Sequence, residues 1–188
     1  MDSFSDSPTD RESPPPLWDC RWPDPVALQV SATRILRDLP ADDPAINRRL
    51  AITVTMENGP NGLLQALLVT PWAVERIYWH NPATGSNPPI RHAISLEQDS
   101  SGHVSSGQGV LFEAGENRLV PVVIAWEPET GHYFVETLLH CTQEFDTSPA
   151  ALAAALGEPL TNPPQNSLTS AMNLKVSRRK LLGFWRRS

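Results

Sequence analysis

Between Leu50 and Cys141 the sequence breaks into short runs of alternating or continuous apolar residues, each closed by glycine-, asparagine- or proline-containing turns. "LAITVTME" (50–57) alternates, with Ile52, Val54 and Met56 on one side. "NGPNG" supplies a turn and "LLQALLVT" (63–70) returns, which is the pattern of a β-hairpin. "RHAISLE" (91–97), "HVSSGQGVLF" (103–112), "LVPVVIAWE" (119–127) and "HYFVETLLHC" (132–141) read as further strands. The short connections favour antiparallel neighbours, because a parallel pair needs a long crossover. Pro121 places the 119–127 strand at an edge, or starts it after that residue.

Helical signals bracket these strands. Asp24 is an N-cap, Pro25 sits in the first turn, and Val26, Val30, Ile35 and Leu36 form an apolar stripe that stops before Pro40. Ser148 reads as a second N-cap, with Pro149 in the first turn, "AALAAAL" as the body and Gly157 past the end. The fold class expected is α+β: one domain over residues 24–157, an antiparallel sheet with an N-terminal and a C-terminal helix against one face.

Outside that domain the composition changes. Residues 1–23 are acidic and proline-rich, with neither a basic start nor an apolar stretch, and read as a disordered leader rather than a signal peptide. Trp18 and Trp22 within it are candidates to fold back onto the domain. Residues 158–174 have linker composition. Residues 175–188 hold six of the fifteen basic side chains and no acid, so the rest sets nine against all twenty-one acids. A basic tail on an acidic body is drawn to that body or to an acidic partner, and the body repels nucleic acid. No run reaches the length of a membrane span, and the chain is expected to be cytoplasmic.

No catalytic constellation is spelled out. Eight strand residues, roughly 26 Å, separate His132 from His140, and the adjacent His140 and Cys141 face opposite sides of a strand. "SSGQG" (105–109) lacks the lysine of a phosphate loop. Cys20 and Cys141 are too few for a zinc site and are expected as reduced thiols, a 20–141 disulfide being the alternative. The chain is therefore not expected to be an enzyme, nor to hold a metal or cofactor. Aromatic residues are more informative. "TPWAVERIYWHNP" (70–82) places Trp72, Tyr78 and Trp79 where a strand gives way to a turn, with Thr70 and Pro71 suited to start a short helical turn. Trp72 either anchors the core or, with Tyr78 and Trp79, builds a surface for a partner.

The segment "LVTPWAVERIYWHNP", Cys141 with Ser148-Pro149, and the terminal "SRRKLLG" occur in the order seen in one family. In these features the chain resembles the HybE/HupJ/HoxT-type assembly chaperones of [NiFe]-hydrogenases, over residues 24–187. The segment after Trp72 carries Glu75 and Arg76 where that family is more apolar. The resemblance implies a cytoplasmic binding role in maturation. The partner would be the hydrogenase small-subunit precursor, with its iron–sulfur clusters and twin-arginine signal. The large-subunit precursor and other maturation factors are further candidates. Partner-binding residues would be Thr70, Pro71, Trp72, Tyr78 and Trp79, together with Ser177, Arg178, Arg179, Leu181 and Leu182 of the tail. The competing expectation is a small metallocentre- or electron-handling accessory protein using Cys141 and Cys20.

Overall fold

Asp24 caps the first helix from a β conformation. Its carboxylate accepts from the backbone N–H groups of Val26 and Ala27 at 2.9 and 3.0 Å, and Pro25 occupies a position that needs no N–H. The structure is a computed structural model that describes residues 15–59, 63–91, 95–115 and 118–157. In it this helix, α1, spans Pro25–Asp38. Its buried side is not the stripe expected. Leu28, Ser31 and Ala32 face the sheet, while Val26 and Val30 are 67% and 60% exposed. Small side chains at 31 and 32 let the helix approach the strands closely, and the larger valines fall on the outside.

Seven strands follow: β1 (Thr53–Asn58), β2 (Leu64–Val69), β3 (Val74–Trp79), β4 (Ile90–Arg91), β5 (Gly109–Glu113), β6 (Leu119–Glu127) and β7 (Gly131–Leu139). They form one antiparallel sheet in the order β1-β2-β3-β7-β6-β5-β4. A second helix, α2 (Ser148–Ala155), closes the described chain, so the fold is α+β with a helix at each end of the sheet sequence. The hairpin of β1 and β2 pairs Asn58 with Leu64, as the turn signal implies.

Several expectations are corrected. β3 lies inside the segment read as a turn, and pairs with β2 on one side and β7 on the other. Thr70 does not start a helical turn: residues 70–73 are the tight loop between β2 and β3, closed by Thr70 N–H donating to the Ala73 carbonyl at 2.9 Å. Of the described residues in the 91–97 segment (91 and 95–97), Arg91 alone belongs to a strand, and residues 103–108 precede β5 as a loop. Gly107, at φ 88°, breaks the extended run there. β6 is an interior strand that includes Pro121. It pairs with β7 only from Val123 onward, so the proline faces Leu111 of β5 where β6 has one neighbour. The cap of α2 is Thr147, one residue earlier than expected, and Ser148 instead donates its hydroxyl to the Ala51 carbonyl at 2.8 Å.

The sheet curls. β3 and β5 are separated by β7 and β6, a flat-sheet distance of roughly 14 Å, yet the rings of Tyr78 and Phe112 stack at 5.1 Å. Phe112 also meets Phe134 at 4.9 Å. The concave side encloses these rings with Val110, Val120, Val122 and Ile124. The helices lie on opposite faces, not on one. α1 packs over Leu68, Ile77 and Tyr133, whereas α2 packs against Val69 and Val74, whose side chains alternate to the other side.

Residues 15–23, read as part of the leader, begin with a strap on the sheet. Leu17 makes a parallel bridge to His103, and Asp19 accepts from the His132 backbone N–H and donates its own N–H to the His132 ring.

Candidate functional site

Three segments far apart in the chain meet at the β2–β3 loop. The Pro71 carbonyl accepts from the backbone N–H of Asn47 at 2.8 Å and from the Thr142 hydroxyl at 2.7 Å. Asn47 in turn donates its side-chain amide to the carbonyls of Thr142 at 2.8 Å and Phe145 at 2.7 Å. Thr70 folds its hydroxyl back on the loop, accepting from Ala73 N–H at 3.0 Å and Trp72 N–H at 3.4 Å. Proline at 71 suits the loop because its carbonyl is used and no N–H is required of it. Behind the loop, Leu50, Val69, Val74, Phe145 and Ala151 close a small apolar core under α2.

This junction unites Thr70-Pro71-Trp72 with the Cys141–Thr142 and Ser148-Pro149 segments. Its outer surface carries the partly exposed Trp72, the exposed ion pair of Arg49 with Asp146, the exposed His140 and the partly exposed Cys141. Of the aromatic residues proposed to bind a partner, only Trp72 reaches the surface. Thr70 is fully buried and supports the loop.

Tyr78 and Trp79 are corrected outright: both are at most 1% exposed. β3 is covered on both sides, so the large rings of successive residues fill two different cores. Tyr78 lies within the curl, its hydroxyl donating to Glu136. Trp79 lies below α1, 6.3 Å from the Tyr133 ring. Ser177, Arg178, Arg179, Leu181 and Leu182 fall outside the described residues.

Glu75 and Arg76, the two departures from the apolar pattern, serve different faces of β3. Arg76 sits between Glu57 and Glu136, 3.5 Å from each carboxylate, and Arg118 reaches Glu136 at 3.3 Å. Burial, reinforced by Glu136, pushes the Tyr78 phenol up to about 12, so it remains a neutral donor. On the other face, burial raises Glu75 to about 7.

The two cysteines are far apart. Cys20 adjoins Asp19, which is held against His132 at the start of β7, whereas Cys141 lies beyond the end of that strand. Roughly 26 Å of extended chain separates those ends, so the thiols share neither a disulfide nor a metal in this fold. Burial, then the Asp19 charge, pushes the Cys20 thiol up to about 11, away from the reactive thiolate. Among the described residues no group of three or more His, Cys, Asp or Glu is arranged to hold a metal ion. A cavity of about 260 Å³, lined in part by Leu63, Trp79, His80, Phe112 and Glu113, lies at the end of β3 away from the Thr70–Ala73 loop.

Asn47, Arg49 and Thr142 went unrecognised in the sequence. They are polar residues of connectors, and no spacing rule links position 47 to positions 71 and 142. Comparison of the chain with protein families, curated proteins and solved structures finds no match in any of the three.

Proposed function

We propose that this protein is a non-enzymatic assembly chaperone of [NiFe]-hydrogenase maturation. It holds the small-subunit precursor in the cytoplasm, by its twin-arginine signal or its iron–sulfur subunit, until export. The observation that carries this reading is the shared use of the Pro71 carbonyl by Asn47 and Thr142. Motif segments about seventy positions apart support one loop, which carries the partly exposed Trp72, and partly exposed aromatics on well-supported backbone are favoured anchors for a protein partner. No helix among the described residues is long and apolar enough to cross a membrane, which accords with this location.

The basic tail has a place in the proposal. Its "SRRKLLG" resembles the signal of the client and competes with it for the acidic body of the chain, at an effective concentration in the millimolar range set by the linker.

The test is retention of the small-subunit precursor, with and without its signal peptide, by the tagged full-length chain. Trp72→Ala is expected to keep the far-ultraviolet spectrum of the parent and to lose the precursor. Removal of residues 175–188 is expected to tighten binding of the isolated signal peptide, more so at low salt. A parent protein that retains no precursor, or a folded Trp72→Ala protein that retains it fully, refutes the proposal.

A further inference from the structure

The strap over residues 17–21 is fastened at its centre by one buried histidine and at its ends by Leu17, bonded to Gly102 and Val104, and by Arg21, which donates to the Pro128 carbonyl. His132 is 1% exposed, and its Nδ1 accepts from the backbone N–H of Asp19 at 2.9 Å. An acceptor at Nδ1 leaves the ring proton on Nε2, which donates to the Val104 carbonyl at 2.9 Å. The ring is thus neutral and both its nitrogens are committed. The His132 N–H returns to the Asp19 carbonyl at 2.7 Å, and the strap's Leu17 N–H reaches Gly102 at 3.0 Å. Trp18 packs edge-on to the His132 ring at 5.2 Å and lies 5.8 Å from Phe134. Gly131 is shaped to the strap as well: a Cβ there would stand 2.3 Å from the Asp19 carbonyl oxygen.

We propose that residues 17–21 are a proton-released latch, held by neutral His132 and freed when Nδ1 takes up a proton. A proton on Nδ1 would point at the Asp19 N–H, so donor would meet donor and the pair that centres the strap would be lost. The slot occupied by Trp18, and the backbone groups of Gly102 and Val104 that bond Leu17, would then be uncovered.

The charged surroundings are few. On the strap the Asp19 carboxylate favours a proton on the ring, but it is already tied to Arg21 at 2.8 Å and to the Trp126 indole at 3.1 Å. On the loop before β5, His103 opposes it. Burial dominates and holds His132 below its ordinary 6.5. A ring whose pKa is depressed when the strap is closed favours closure fully above 6.5. Closure weakens as the pH falls below that value.

Hydrogen exchange of the full-length protein tests the latch at the amides of Leu17, Asp19 and His132, with Ile77 of β3 as the internal reference. After correction for intrinsic rates, the opening constant of the strap amides is expected to rise roughly five- to tenfold from pH 7.5 to 5.5, with Ile77 unchanged. His132→Asn should make the strap profile flat. Asp19→Pro, which removes the donated N–H, should free Leu17 at pH 7.5 while Ile77 stays protected. If His132→Asn does not fold, the parent profile and Asp19→Pro decide. A flat parent profile, a rise shared by Ile77, or full strap protection in Asp19→Pro overturns the latch.

Discussion

Replacing Asn47 by alanine tests whether the junction behind the β2–β3 loop is held as described. Asn47 is 6% exposed, and its amide feeds the carbonyls of Thr142 and Phe145, residues that are 0% and 3% exposed. Truncation removes the two amide donations, worth about 1 kcal/mol each. It also removes the longer 3.3 Å contacts of Arg49 N–H and Nε with Oδ1, which water replaces at the exposed Arg49. The Thr142 carbonyl keeps the bond from Phe145 N–H at 3.2 Å, whereas the Phe145 carbonyl loses its donor in a site closed to water, a further cost of about 1 kcal/mol. The expected loss is about 3 kcal/mol. With a urea dependence of about 2 kcal/mol per molar, the unfolding midpoint should fall by about 1.5 M at unchanged slope. Arg49→Ala is the control. Its partner Asp146 is 77% exposed, and exposed pairs contribute under about 1 kcal/mol. The other side-chain contacts of Arg49, to Asn47 Oδ1 and the Gln143 carbonyl, are 3.3 Å long. Urea titrations of the full-length proteins followed by circular dichroism make the comparison. A loss below about 1 kcal/mol for Asn47→Ala, or one equal to that of Arg49→Ala, refutes the reasoning.

Trp79→Ala should cost roughly 3–5 kcal/mol in the same titration, because the ring is fully enclosed between β3 and α1; Trp72→Ala should cost markedly less, and equal losses would contradict the assigned burial. Glu75 supplies a pH test. Its carboxyl titrates near 7 when folded and near 4.5 when unfolded, so the stability that favours its protonated form is present below 4.5 and lost as the pH rises towards 7. Glu75→Gln should therefore match the parent near pH 4 and exceed it above pH 7 by at most about 3 kcal/mol; parallel stability curves would show that the Glu75 carboxyl is not raised by its partly buried place on β3.

Elements with one covered face were legible in the sequence. β1 alternates, the turn residues after Asn58 mark its hairpin, and Asp24-Pro25 marks the start of α1. The longer apolar runs of β2 and β7 still read as strands, although both are covered on both sides. β3 was not legible, because Glu75 and Arg76 interrupt its apolar run and the buried Ile77, Tyr78 and Trp79 show no period of two. The same residues misled the site reading. Aromatics suited to a docking surface are equally suited to a core, and only the neighbours of β3 in the sheet decide between them. The valine stripe of α1 failed for a related reason, since closeness of approach selected Ser31 and Ala32 for the buried side rather than the most apolar residues. At the site, Pro71 and Trp72 could be singled out from their local pattern. Asn47 and Thr142 could not, because their importance exists only through contacts across the fold.

The strand order divides the chain into two meanders, β1 to β3 and β4 to β7, joined by the pairing of β3 with β7. Within each meander the neighbours are consecutive, but at the seam Arg76 meets Glu136, 60 positions away. Closing a loop of that size costs about 2 kcal/mol more than closing a five-residue hairpin. The halves can thus acquire local order early, while commitment waits on one distant encounter. Side chains along Arg76–Tyr78 and Phe134–Glu136 then govern how fast the chain folds, and those in the outer hairpins govern how long it stays folded.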